Sequence, residues 1–161
     1  MAKKKVTTNW ANVGWLILIQ WAVAIEWLMS GWGKFADDKF MLGFEKTVGA
    51  FAAKTPHSFY ADFLNNTVAA NADLFANLVR TGELLIGVAL VVFGVYYLTQ
   101  KKLDPIYRSI LVVALICGAF LNLNFYLAAG WSSPSTAGIN VLMGLVQLIL
   151  AGFYAKTLVK K

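Results

Sequence analysis

One cysteine, one histidine and three prolines are all that this chain of 161 residues contains of those types, and it is poor in charge. The single Cys117 excludes an intramolecular disulfide, an internal dithiol relay and a cysteine cluster site. Lying in an apolar run, it reads as a small core residue. The single His57 excludes bis-histidine haem and multi-histidine metal sites within the chain. No metal or flavin motif is present, so the sequence leads us to expect no metal site and no resident cofactor. Only 14% of the residues are charged against 59% hydrophobic, with a mean hydropathy of +0.64. Soluble domains are about a quarter charged, so this balance points to a polytopic membrane protein in a lipid bilayer. The formal net charge of +6 forms no basic stripe on a polar helix, which argues against a nucleic-acid partner.

Long apolar runs are what the chain does have. Four windows, roughly 12–35, 77–99, 105–129 and 134–157, are long enough to cross ~30 Å of hydrocarbon as helices. The expected architecture is all-α: a polytopic four-transmembrane-helix bundle forming a single membrane domain over 1–161. Asp104 before Pro105, and Ser133 before Pro134, are cap-and-first-turn arrangements for the third and fourth helices. Asn71 is a plausible cap for the second. The start Met1-Ala2-Lys3-Lys4-Lys5, with Ala22-Val23-Ala24 further on, resembles a signal peptide, but the apolar run continues past it. It reads as an uncleaved first span.

Nine of the fourteen basic residues (Lys3, Lys4, Lys5, Lys101, Lys102, Arg108, Lys156, Lys160 and Lys161) fall on one side, with only Asp104 among the acids. The positive-inside rule then predicts a multi-pass protein of the cell membrane with both termini cytoplasmic. The extracytoplasmic segment 37–76 is too long for a bare loop. Phe40, Met41, Phe44, Val48 and Phe51 recur at helical spacing, and Phe59, Tyr60 and Phe63 follow Thr55-Pro56. Two short amphipathic helices over the outer mouth are predicted, either covering the bundle or lying in the interface. Trp10 and Trp15 on the inner side, and Trp27, Trp32 and Trp131 on the outer side, suit aromatic belts.

The polar residues in the spans carry the functional expectation. Glu26 and Glu83 lie inside apolar stretches, where a carboxylate costs at least ~2.5 kcal/mol. Glu26, Ser30 and Lys34 step along one face of the first helix, and Arg80 stands three residues from Glu83, close enough to pair. Asn122, Asn124 and Tyr126 end the third helix, while Asn140, Gly144 and Gln147 line one face of the fourth. All belong to the outer half of the bundle; the inner half holds little beyond Gln20. Each also has a plainer reading: amides tie membrane helices together, Arg80–Glu83 braces the fold, Lys34 snorkels to the surface, and Gly82, Gly87, Gly94, Gly138 and Gly144 mark close packing.

Three stretches resemble a known family. Ser30-Gly31-Trp32-Gly33-Lys34-Phe35 looks like the Gly-x-x-Lys-Leu/Phe signature of the DoxX family, and Gly82–Leu90 is similar to its Gly-Glu-x-x-x-Gly-x-Ala-Leu run. Residues 122–134, from Asn122-Leu123-Asn124-Phe125 to Ala129-Gly130, resemble a segment of its DoxD-like branch. Relatives often carry an Arg in the first span where this chain has Gln20 and then Glu26. The DoxD branch includes the small membrane subunit of thiosulfate:quinone oxidoreductase. The resemblance therefore implies a membrane subunit of a quinone-linked oxidoreductase acting on thiosulfate or another sulfur compound, with quinone as bound substrate. Glu83 and Glu26 would then serve as catalytic proton-handling groups. Lys34, Arg80, Asn122, Asn124 and Tyr126 would bind quinone or a sulfur oxyanion. With no redox group of its own, such a chain needs a partner membrane or extracytoplasmic subunit; a homo-oligomer is left open. The alternative is a non-catalytic subunit that anchors a larger respiratory complex. A transporter is disfavoured, because there is no evident inverted repeat or broken helix.

Overall fold

The computed structural model describes residues 10–100 and 103–159, with side chains from 14 to 156. The expectations resting on Lys3, Lys4, Lys5, Lys101, Lys102, Lys160, Lys161 and the side chain of Trp10 lie outside the described residues. Every element found is helical. The chain runs α1 (Trp10–Ala36), α2 (Lys39–Ala52), α3 (Ser58–Phe63), α4 (Ala72–Gln100), α5 (Pro105–Ala129) and α6 (Pro134–Val159). Four helical stretches, Gly14–Ala36, Ser58–Gln100, Pro105–Ser132 and Pro134–Lys156, are long and apolar enough to cross a membrane. The all-α polytopic bundle expected from composition is the architecture seen.

Helix ends follow local chemistry where that chemistry is available. The Ser133 hydroxyl accepts the Thr136 backbone N–H at 3.0 Å, capping α6 with Pro134 in its first position. Asp104 stands at the corresponding place before Pro105 but makes no side-chain cap bond; its carboxylate accepts the Tyr96 hydroxyl at 3.2 Å instead. Asn71 caps nothing. A π-helical turn at Leu64–Val68 and a 3-10 turn at Ala69–Asn71 carry α3 straight into α4, and Asn71 donates back to the Thr67 carbonyl within that run. The wider turn keeps Leu64 and Val68 buried while Asn65, Asn66 and Thr67 stay exposed.

Within the bundle α1 lies along α4 and α5 lies along α6, with α4 meeting α5 between the two pairs. The α1–α4 seam is close because small residues permit it. A methyl group on Gly31 would stand 2.8 Å from the Leu84 backbone nitrogen, and one on Gly87 would stand 2.7 Å from the Leu28 side chain. The main core runs from Ala24 and Trp27 through Leu90, Leu111 and Leu115 to Leu150 and Tyr154.

A second, smaller core closes one end. Helices α2 and α3 fold over that end and bury Val48, Ala52, Tyr60, Leu64 and Val68 against Ala128, with Phe75 and Leu127 alongside. Three polar contacts fasten this cap to α5 and the turn after it. The Tyr60 hydroxyl donates to Asn124 Oδ1 at 2.9 Å, the Thr55 hydroxyl donates to the Leu127 carbonyl at 2.7 Å, and Lys54 Nζ stands 5.2 Å over the Trp131 ring. The two short helices thus cover the bundle.

Two expectations about single side chains are corrected here. Trp27 is 2% exposed and packs on Phe125, so it belongs to the core, whereas Trp15, Trp32 and Trp131 do face outward. Cys117 is exposed on the outer surface of α5.

Candidate functional site

Toward the capped end of the α1–α4 seam lies an ion pair. Lys34 Nζ donates to both oxygens of Glu83, at 2.9 and 2.7 Å, and to the Ser30 hydroxyl at 2.7 Å. An ammonium carries three protons, so these bonds use all of them. The Glu83 side chain is fully buried, while Lys34 retains some exposure at the helix end, with the Phe40 ring of α2 at 5.9 Å. Antiparallel α1 and α4 make the pair: Gly31 lets the backbones close up at Leu84, which brings Lys34 onto Glu83 from 49 positions away in the chain.

This corrects the expected Arg80–Glu83 pair. Arg80 donates from Nε and Nη2 to Asn77 Oδ1, at 3.1 and 2.6 Å, and its guanidinium lies 4.6 Å from the centre of the Phe35 ring. Glu26 and Glu83 have opposite surroundings. Glu26 points outward from α1, and no hydrogen-bond partner or ion pair is found for it among the described residues.

The remaining polar groups divide into separate ties, most of them between helices and that of Asn140 within α6. Asn122 Nδ2 donates to Gln147 Oε1 at 2.7 Å, joining α5 to α6 where Gly118 leaves room for the glutamine amide. Gln147 is fully buried, and no partner for its own Nε2 is found among the described residues. Asn124 belongs to the cap through Tyr60 and returns its amide N–H to the Phe120 carbonyl at 2.7 Å. Asn140 is tied to the Thr136 carbonyl at 2.8 Å. Sequence reading placed Gln20 alone at the far end, but it has two partners: its amide donates to the Leu90 carbonyl at 2.6 Å and its Oε1 accepts the Tyr154 hydroxyl at 2.7 Å. Tyr154 lies 134 positions away, so no local pattern reveals the tie.

A groove of about 540 Å³ opens sideways between α5 and α6. Its walls are mostly apolar (Ile116, Phe120, Leu123, Leu145 and Leu148), with Asn122, Tyr126 and Asn140 as the polar groups and Gly144 forming part of the floor. Neither α1 nor α4 contributes to it. Of the seven residues expected to form one site, Asn122 and Tyr126 share this groove and Lys34 and Glu83 share the ion pair. Asn124 serves the cap, Arg80 serves Asn77 and Phe35, and Glu26 faces outward. Asn140 is the groove residue outside that set; its place on the α6 face shared with Gly144 was the available signal. Among the described residues no three His, Cys, Asp or Glu side chains cluster as a metal site would need.

Fold and geometry define a class: a small multi-pass membrane bundle with a helical cap, an internal ion pair and a lateral groove. No family model, no curated protein and no solved structure matches the chain.

Proposed function

We propose that this chain is the membrane subunit of a quinone-linked oxidoreductase of the type that oxidises thiosulfate or a related sulfur compound. Its termini would be cytoplasmic and its cap would face the opposite side. The observation that carries the reading is the groove between α5 and α6. At about 540 Å³ it has the size and mixed lining of small-molecule sites, and it opens sideways, along the path by which a lipid-soluble ring arrives. Tyr126 and Asn140 offer hydrogen-bonding groups to quinone oxygens against apolar walls, while both amide protons of Asn122 are held by Gln147 Oε1 and the Gly118 carbonyl. The resemblance of Gly82–Leu90 and of residues 122–134 to the DoxX family supports the same assignment. Two thiosulfates joined as tetrathionate release two electrons, and one quinone takes these with two protons to become quinol. The electrons come through a redox centre on a partner subunit.

The test is thiosulfate-driven reduction of a short-chain quinone by the purified complex. Tyr126→Phe and Asn140→Leu are expected to raise KM for quinone about tenfold. Unchanged kinetics in both variants would remove quinone from the groove. A second reading, a non-catalytic anchoring subunit, is favoured by the ion pair: Lys34 has no proton left to give a ligand, and both oxygens of Glu83 are taken. Under that reading Glu83→Gln and Arg80→Ala leave turnover of the assembled complex unchanged.

A further inference from the structure

Glu26 stands next to the midpoint of the span Gly14–Ala36, ten residues (~15 Å at ~1.5 Å per residue) from the end of α1. An outward-facing carboxylate at that depth meets hydrocarbon unless something covers it. Among the described residues no partner is found for it. All three protons of Lys34 are committed to Ser30 and Glu83, and Arg80 is held by Asn77 and Phe35. Lys34 is therefore paired with Glu83, and Glu26 is left with no ion-pair partner among the described residues.

The surface around Glu26 has a second property. Trp15, Ile19, Ala22, Glu26, Met29 and Gly33 are all exposed, at steps of four, three, four, three and four residues along α1. That is the spacing with which one helix presents a continuous seam to another, and Glu26 lies near its middle. Ala22 and Gly33 leave room for close approach.

We propose that this face of α1 docks a transmembrane helix of another subunit, one that carries a lysine or arginine at mid-membrane and pairs it with Glu26. Charge complementarity selects the occupant. A second copy of this chain would set Glu26 against Glu26 or against an apolar surface, supplying no cation. The proposal rests on the partner-subunit part of the reading above and not on quinone in the groove. The two fail separately, since the quinone assay reads α5–α6 and the following test reads α1.

The experiment places a photo-crosslinking residue at Ala22 or Met29 of the full chain in its native membrane, with Val113 on the outward face of α5 as the comparison position. Adducts from the α1 positions, absent from Val113, are expected to map to a membrane helix of a different protein with a Lys or Arg within one turn of the joined residue. Glu26→Gln should lower their yield at least fivefold. Glu26→Lys should abolish them, and replacing the partner's basic residue with Glu in that background should restore them, which loss of folding would not permit. Adducts only to lipid or to a second copy, a partner helix without a basic residue, or an undiminished yield in Glu26→Gln would each overturn the proposal.

Discussion

Lys34 and Glu83 show how far one side chain's role depends on what reaches it. A carboxylate in this protein's interior is tolerable because an ammonium meets both of its oxygens at 2.9 and 2.7 Å. Removing one partner of a buried pair leaves an uncompensated charge, which costs about 3–5 kcal/mol, whereas replacing both by apolar groups is often neutral. Lys34→Met is therefore expected to lower unfolding stability in detergent by about that amount, with Lys34→Met/Glu83→Leu recovering most of it. Arg80→Ala should cost less than about 1 kcal/mol, because Arg80 is held by one amide and one ring near the helix surface. Equal losses in Lys34→Met and Arg80→Ala would contradict the pairing. The local rule linking Arg80 to Glu83 failed for a physical reason. Residues three apart on a helix can meet, but a partner on the facing helix wins when two glycines let the backbones close.

At the scale of the element, glycines in the same kind of helix do different work. Gly31 and Gly87 are where α1 and α4 touch, and an added methyl meets Leu84 or Leu28 at 2.8 or 2.7 Å. Overpacking of this kind costs about 1–3 kcal/mol. Gly31→Ala is expected to destabilise by that amount and, by shifting α1, to loosen the Lys34–Glu83 bond as well. Gly152, by contrast, has nothing within 4 Å. Since glycine in a helix interior costs about 1 kcal/mol relative to alanine, Gly152→Ala should be neutral or stabilising by up to that much. Thermal unfolding of the two variants side by side checks both signs. The ends of α5 and α6 teach the same lesson: Ser133 captures the Thr136 amide as its sequence position suggests, while Asp104 is drawn away to Tyr96.

Across the whole molecule, the cap has a core separate from the main one, built partly on Ala128 of α5 and Phe75 of α4 and fastened by polar contacts, chiefly Tyr60–Asn124 and Thr55–Leu127. One such bond contributes about 1 kcal/mol. Tyr60→Phe should therefore speed hydrogen exchange in α2 and α3 severalfold while leaving the amides of α5 and α6 unchanged; equal acceleration in both would show that cap and bundle open as one unit. The sequence by itself determined that four helices are long and apolar enough to cross a membrane, because ~20 apolar residues can satisfy their backbone in a bilayer only as helix. It also determined the capping helices, through the spacing of Phe40, Phe44, Val48 and Phe51. Only the tertiary structure decided which way each helix faces. A helix that is apolar nearly all round carries little periodicity to orient it, so Trp27 turned inward, Cys117 outward, and two glutamates alike in sequence took opposite roles. Glu83 is sealed against Lys34 and Glu26 is left facing out, because the close α1–α4 seam brings that single cation to one carboxylate and leaves it no proton for the other.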